Sequence, residues 1–363
     1  MNMLVCGHNK DLQLDKNSTN KDFDGDPIID QPCKFRVDPS KFSSFSTDYG
    51  QTVWVGHDGK SYVTGDNNDG IISGSLPRKA LSEDTELILQ DDQGRPCQII
   101  SVLCGGTFTL YIVSSGTGST DLQLVYCSYK KMPNPLFVNI GNRAPRSLFG
   151  SESTSGVIDS EGGIIILTDS VFKSPKKQLE AVFLPGNEKA VKLACGDEFV
   201  IALGMSGRVY ESQISSTIKF EEVKELTNST VVDISGACDF CFAVLNDGRV
   251  FARGNNAFCK LGLPEETGSV SKFTLVESLS KYKIVSVFNG SYHSIFKTSE
   301  NEMIVCGQND CGQLFVPRKE SVYPPEEVQI CKGFSFCVAG SWSSAAFFGM
   351  EEPPHFSNKK IVE

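Results

Sequence analysis

The chain has 363 residues, of which 40% are hydrophobic and 21% charged, and its formal net charge is −10. It contains no run approaching the roughly 18 apolar residues of a membrane span, and its acidity disfavours direct binding to a nucleic-acid backbone. Residues 1–11 lack the basic start and apolar run of a secretory signal. We therefore expect a cytoplasmic or nuclear protein whose thirteen cysteines are reduced and mostly buried.

The first predicted element is a short apolar strand at Met3–Cys6, which is followed by Gly7. The same pattern returns three hundred residues later, at Met303–Cys306 followed by Gly307. A half-repeat at each end of the chain would make one whole repeat. This arrangement is expected of a repeat array that closes into a ring.

Seven copies of a three-stranded unit are predicted, and the last copy takes its third strand from Met3–Cys6. The clearest copy has an alternating strand at Val231–Ser235, an apolar strand at Cys241–Leu245 and a third strand at Arg249–Arg253. Asn246-Asp247-Gly248 joins the last two strands and is typical of a tight hairpin turn. The first turns of the seven copies are predicted at Thr47, Gly105, Gly150, Gly196, Gly236, Gly290 and Gly340. They are 40 to 58 residues apart, a spacing close to that of propeller blades.

A short apolar piece precedes each first turn and is predicted to form a fourth, outer strand, often just after a proline, which an edge strand tolerates. These pieces are Phe35–Val37, Leu87–Leu89, Leu136–Val138, Val182–Leu184, Val223, Phe273–Leu275 and Val328.

The units predict an all-β fold, a seven-bladed β-propeller of four-stranded blades. Residues 1–350 form the single propeller in this prediction, and residues 1–14 complete the last blade with residues 328–349. In that blade Met3–Cys6 is the third strand, beside Phe334–Val338 and Ala345–Phe348. We expect residues 351–363 to be a mobile C-terminal tail.

The repeat motif resembles that of the regulator of chromosome condensation repeat family. The best copy has Gly290-Ser291-Tyr292-His293-Ser294 and then Gly307-Gln308-Asn309-Asp310-Cys311-Gly312-Gln313-Leu314. Kelch propellers have a similar period, but the paired glycines of their repeats occur here only at Gly105-Gly106 and Gly162-Gly163. The resemblance covers nearly the whole chain and implies a seven-bladed propeller.

The departures from the family pattern concern function. The repeat histidine remains only at His293, and the tryptophan of the third strand is missing throughout. The founding member of the family is a nucleotide-exchange factor for the small GTPase Ran, and it uses a projecting β-wedge. No obvious wedge insertion follows Cys127-Ser128-Tyr129 here. The resemblance therefore implies the fold more strongly than the activity.

The sequence offers little for covalent catalysis. Cys238 and Cys241 form a Cys-x-x-Cys pair, but no second pair completes a zinc site and no helix start would activate a thiol. The nucleophile-elbow, zinc-protease and phosphate-loop motifs are absent. We expect no enzyme, no catalytic residue, no metal and no cofactor, and a propeller lyase or hydrolase is disfavoured.

The turns between first and second strands are predicted to emerge together around one mouth of a central channel. Their aromatic and acidic residues suit a protein-binding surface, although the aromatic side chains could instead fill the gaps between blades. The candidate binding residues are Asp48, Tyr49, Phe108, Glu152, Asp197, Glu198, Asp239, Tyr292, His293 and Trp342.

These observations predict a monomeric, non-enzymatic protein–protein interaction module that binds a partner protein on this face, with neither nucleic acid nor membrane as a partner. The alternative is a guanine-nucleotide exchange factor for a small GTPase. For that activity Ser114–Asp121, which lengthens one hairpin, is the candidate wedge.

Overall fold

The structure is a computed structural model. It describes residues 3–349 except 10–12, 15–19, 22–24, 36, 49, 68–71, 73–75, 77–78, 80, 92, 116–120, 129–134, 168–175 and 216. The predicted tail, residues 351–363, lies outside the described residues. The described strands form seven antiparallel sheets, the blades of a propeller ring, which confirms the predicted fold class. No helix in the described part of the chain is long and apolar enough to cross a membrane.

In blades 1 and 3 to 6, consecutive strands pair from the central channel outward. Blade 1 consists of β4 (Phe42–Asp48), β5 (Gln51–Gly56), β6 (Ser61–Gly65) and β7 (Leu81–Glu86). Blade 2 consists of β8 (Leu89–Gln90), β9 (Pro96–Cys104), β10 (Phe108–Ser114), β11 (Leu122–Ser128) and β12 (Leu136–Val138). In this blade the short extra strand β8 pairs with the first strand, β9. Blade 3 consists of β13 (Pro145–Gly150), β14 (Ser155–Asp159) and β15 (Ile164–Leu167). Blade 4 consists of β16 (Ala190–Cys195), β17 (Phe199–Gly204), β18 (Val209–Gln213) and β19 (Glu221–Glu222). Blade 5 consists of β20 (Val231–Ala237), β21 (Phe240–Leu245), β22 (Val250–Gly254) and β23 (Val270–Leu275). Blade 6 consists of β24 (Ile284–Asn289), β25 (His293–Thr298), β26 (Met303–Gln308) and β27 (Ser321–Glu327).

Short 3-10 turns connect several strands. They span Pro39–Lys41, Pro185–Asn187, Lys224–Leu226, Ala257–Cys259, Glu265–Thr267, Glu277–Leu279 and Gln329–Cys331.

Blade 7 closes the ring with strands from both parts of the chain. Its order is β28 (Phe334–Ala339), β29 (Ser343–Phe348), β1 (Met3–His8), β3 (Pro27–Lys34) and β2 (Asn20–Lys21). β1 pairs antiparallel with β29, with Val5 opposite Ala345, which confirms the predicted pairing of the two ends. The N-terminal share of the blade runs to Lys34 rather than ending at residue 14, because β3 is its fourth strand and β2 pairs with the outer side of β3.

The outer strands mostly begin earlier than predicted. The pieces at Leu136–Val138 and Phe273–Leu275 lie within β12 and β23, and Val182 forms only an isolated bridge. Elsewhere the predicted apolar residue follows the outer strand. Leu87 and Val328, for example, are buried just after β7 and β27. An edge strand exposes one side to solvent, so its sequence is polar and lacks the apolar pattern that predicts a strand. The first apolar residue lies after the strand, where the chain turns back toward the core.

Every first strand contains a β-bulge at the same place. One extra residue separates the register of each first strand from that of its neighbour. Such bulges bend and twist a strand locally, which suits strands that surround a channel. The extra residues are Ser43, Ile100, Arg146, Val191, Val232, Val285 and Ser335.

The third strands of four blades leave through a Gly-x-Asn loop, which the copy after β26 illustrates. Gly307 has φ 106°, and a Cβ there would lie 2.6 Å from the Tyr292 carbonyl oxygen, so only glycine fits. The Gln308 N–H donates to that same oxygen at 2.9 Å. Asn309, fully buried, accepts from the Leu314 N–H at 2.9 Å. The other copies are Gly7–Asn9, Gly65–Asn67 and Gly254–Asn256.

A ring side chain packs beneath the first-turn glycine in three blades. Phe108 packs against Gly105, Phe199 against Gly196, and His293 against Gly290. The buried His293 ring has Nε2 2.8 Å from the Ser344 hydroxyl, and burial lowers its pKa to about 3. His293 is therefore a neutral structural residue at physiological pH.

We predict that Asn309→Ala lowers the free energy of unfolding by about 2–3 kcal/mol, because it leaves the buried Leu314 N–H and loop carbonyls without partners. Urea unfolding would measure the change. The exposed Asn246→Ala serves as the control and should stay within about 0.5 kcal/mol of the wild type. A loss no larger than that of the control would contradict the structural role of the loop.

We also predict that the protein loses stability as the pH falls from 6.5 toward 3, because the unfolded His293 takes up a proton that the folded state excludes. By pH 5, protonation of His293 in the unfolded state lowers the free energy of unfolding by about 2 kcal/mol. His293→Phe, which copies Phe108 and Phe199, should shrink the difference in unfolding free energy between pH 7 and pH 5. An unchanged difference would show that other groups control the acid sensitivity.

Candidate protein-binding face

The turns between first and second strands meet at one mouth of the central channel, which is lined by the first strands of the blades. We call this surface the turn face. Neighbouring turns are bonded to each other: the Thr107 N–H donates to the Glu152 carbonyl at 3.1 Å, and the Asp197 N–H donates to the Cys238 carbonyl at 2.7 Å. The backbone of the turn face is therefore well fixed.

An acidic cluster occupies the part of the turn face formed by blades 3 to 5. Ligand atoms of Glu152, Asp197 and Cys238 all lie within 4.8 Å of one another. The Cys238 thiol donates to a Glu152 carboxylate oxygen at 3.5 Å, and the Ser153 hydroxyl donates to Asp197 at 3.1 Å. Partial desolvation by neighbouring residues raises the pKa of Asp197, although its side chain is exposed, and the negative charges of Asp239 and Glu198 raise it further.

The cysteines of this region do not form the metal or redox pair that Cys-x-x-Cys spacing can indicate. Cys241 is buried in β21, whereas Cys238 lies in the turn beside Glu152. Burial raises the pKa of Cys238 to about 12 and that of Cys241 to about 11, so both thiols stay protonated. Glu152, Asp197 and Cys238 are the described group closest to a metal-binding geometry, and two of the three are exposed carboxylates.

An aromatic row continues from the acidic cluster across blades 5 to 7. Phe258 meets Tyr292 edge-on at a centroid distance of 6.0 Å, and Tyr292 stacks on Trp342 at 5.8 Å. His8 lies 6.2 Å beyond Trp342. Phe258, Tyr292 and Trp342 are each partly exposed, so the row presents apolar surface at the mouth of the channel.

A buried lysine joins the acidic cluster to the aromatic row. Lys260 is 1% exposed, and its ammonium lies 2.7 Å from an Asp239 carboxylate oxygen. The same ammonium lies 4.5 Å from the Phe240 ring centroid and 5.2 Å from that of Tyr292. A cation in these positions gains from both the carboxylate and the ring faces.

The structure places the sequence-predicted residues at different depths. Glu152, Asp197, Glu198 and Asp239 are exposed, and Tyr292 and Trp342 are partly exposed. Phe108 and His293 are fully buried beneath the face. Asp48 is 8% exposed and accepts hydrogen bonds from the Ser341 N–H and hydroxyl at 2.6 and 2.7 Å. Tyr49 lies outside the described residues.

Sequence reasoning missed His8, Phe258 and Lys260. None of the three comes from a first turn: Phe258 and Lys260 lie in the loop after a third strand, and His8 is the last residue of the third strand of blade 7. Lys260 had a signal, since it occupies the motif position of Gln13 and Gln313, which are fully buried. A charged residue at a buried position of a repeat requires a partner, and here the partner is Asp239.

The comparisons with known proteins agree with these observations. The regulator of chromosome condensation (RCC1) repeat matches residues 247–296 and, in a second form, residues 284–313. Protein pim1 of Schizosaccharomyces pombe is 27% identical over 164 residues, which cover 41% of this chain and 30% of pim1. The ultraviolet-B receptor UVR8 of Arabidopsis thaliana is 26% identical over 146 residues, covering 37% of this chain and 33% of UVR8. The matched stretches thus span a third or less of these relatives.

Two solved structures share the fold over almost the whole chain. Human WBSCR16 superposes with a TM-score of 0.74 at 14% identity, covering 96% of this chain and 98% of WBSCR16. Prp20p of Saccharomyces cerevisiae, whose structure was reported with its binding properties to Gsp1p and histones, superposes with a TM-score of 0.72 at 12% identity, covering 98% and 93% of the two chains. Its repeat matches and its seven-bladed ring show that this chain carries regulator of chromosome condensation (RCC1) repeats and is similar in fold to proteins that contain them.

Proposed function

We propose that the chain is a protein-interaction module that binds a partner protein through the turn face. The observation that carries this proposal is the continuity of the acidic cluster with the partly exposed Tyr292–Trp342 stack, which Lys260 joins by contacting both Asp239 and the Tyr292 ring. Aromatic side chains supply much of the energy of protein interfaces, and charges around them select the partner. The bonded turns hold these groups in place before a partner arrives, which reduces the entropy lost on binding.

The module acts by binding rather than by covalent chemistry in this proposal. The thiol at the turn face, Cys238, has a raised pKa and so is a poor nucleophile. His293 is buried and neutral, so it is poorly placed to exchange protons with a substrate.

Nucleotide exchange on a small GTPase is a second candidate function. It is favoured by the likeness of the fold to Prp20p, a protein reported to bind Gsp1p, and by the activity that the family resemblance implies. The candidate wedge Ser114–Asp121 lies mostly outside the described residues, since 116–120 are among those not described. Release of a fluorescent nucleotide from purified small GTPases, measured with and without this protein, tests the activity directly.

We predict that Asp197→Ala combined with Asp239→Ala weakens partner binding at least about 10-fold, because both carboxylates border the aromatic row. Affinity capture from cell lysate, read by quantitative mass spectrometry, would identify partners, and titration with each purified partner would give the affinity. Glu300→Ala removes an exposed carboxylate from the β25–β26 turn at the opposite end of the blade and is the matched control. Equal binding by the double variant and the control would exclude the turn face as the partner site.

A further inference from the structure

One cation of the protein itself, the Lys260 ammonium, lies at the turn face, and its contacts show that this face can bind a positively charged group. The Lys260 ammonium is held between the Asp239 carboxylate and the ring faces of Phe240 and Tyr292. Carboxylate on one side and aromatic face on the other is a favourable environment for an ammonium or guanidinium group. The ring of Tyr292 is shared, because it also stacks on Trp342.

The carboxylates next to this internal ion pair have no cation of their own. Among the described residues, Glu152 and Asp197 accept hydrogen bonds only from neutral side chains, Cys238 and Ser153, and neither forms a salt bridge. The like charges of Asp239 and Glu198 raise the pKa of Asp197 beyond the effect of partial desolvation. This part of the turn face is therefore short of positive charge.

Tyr292 brings the uncompensated carboxylates and the aromatic row together. Burial raises the pKa of its phenol, and the negative charges of Glu152, Asp239 and Asp197 raise it further. The centroid of its ring lies 5.2 Å from the Lys260 ammonium, which is itself 2.7 Å from Asp239, and its other neighbour is the stacked Trp342 ring.

Two residues of blade 5, where the acidic cluster and the aromatic row meet, have a strained backbone. Cys238 has φ 44° and Phe258 has φ 59°, values in the left-handed region that favours glycine. Strained residues of this kind are concentrated at functional sites. The Cys238 thiol donates to Glu152, and the Phe258 ring contacts Tyr292.

We propose that the turn face binds an extended basic segment of a partner protein, with an arginine or lysine side chain between Glu152, Asp197 and the Tyr292 ring. The rest of the segment lies along the Tyr292–Trp342 stack. An arginine fits this surface particularly well, because its planar guanidinium can pair with a carboxylate and stack on a ring at once. This inference rests on the proposed protein-binding function and adds the chemistry of the partner.

Selection of random 12-residue peptides displayed on phage tests the proposal without assuming a partner. Immobilised full-length protein should enrich peptides that contain arginine or lysine beside an aromatic or aliphatic residue. The affinity of a dye-labelled selected peptide, measured by fluorescence anisotropy, should fall about 10-fold or more for Glu152→Gln combined with Asp197→Asn. The affinity should also fall as salt is added, because exposed charges are screened.

The control variant is Glu300→Gln, which removes one exposed charge from the opposite turns and should leave peptide affinity unchanged. Thermal unfolding separates lost binding from lost structure. Asp197→Asn removes like-charge repulsion, so the charge-neutral variant should unfold at the same temperature as the wild type or a higher one.

The possible failures are distinguishable. Enriched peptides that lack basic residues, yet lose affinity for Trp342→Ala, would overturn the basic-segment proposal and leave the turn face as a protein-binding site. Basic peptides that bind the Glu152/Asp197 variant and Trp342→Ala as tightly as the wild type would overturn both. Failure to enrich any peptide would count against the basic-segment proposal.

Discussion

The apolar clusters that the structure describes lie between blades rather than within them. Seven such clusters occur, one for each pair of neighbouring blades. A blade is therefore covered only when both neighbours are present, which makes the stability of each blade depend on the whole ring. The cluster that joins blades 7 and 1 contains Val5, Phe347 and Trp54. Pairing of β1 with β29 completes it, so closure contributes core as well as hydrogen bonds.

The same backbone contacts that complete the blades also hold the turn face. The residue after the glycine of a Gly-x-Asn loop donates its N–H to a backbone carbonyl of the first turn. His8 donates to Trp342 at 2.8 Å, and Gln308 donates to Tyr292 at 2.9 Å. In blade 5 the acceptor is Asp239. The residues that carry the aromatic and acidic side chains are thus fixed through their own carbonyl groups. Their side chains are free to differ from blade to blade without loss of the fold.

This separation explains what the sequence could predict. Turn glycines and Gly-x-Asn loops recur because each copy meets the same local backbone requirement, and they were enough to predict seven blades and the closure. The sequence predicts the outer strands less accurately, because exposed strands such as Glu221–Glu222 contain few apolar residues. Within the site, turn position alone could not tell a side chain on the face from one beneath it. Phe108 and His293, three residues after their turn glycines, lie beneath those glycines. Tyr292 and Trp342, two residues after theirs, remain partly exposed.

The distribution of charge on the turn face lowers the stability of the folded protein, and the fold itself does not require that distribution. The exposed acidic residues of the turn face belong to blades 3 to 5 and the aromatic row to blades 5 to 7, and the two meet at Asp239, Lys260 and Tyr292. Because the folded state raises the pKa of Asp197, ionising this group disfavours folding, and stability falls as the pH rises through the window between its unfolded and folded pKa values. One cation, Lys260, neutralises Asp239 and leaves Asp197 without a counterion among the described residues. A positively charged partner group would remove this repulsion, so the free protein gives up some stability at the surface where binding would restore it.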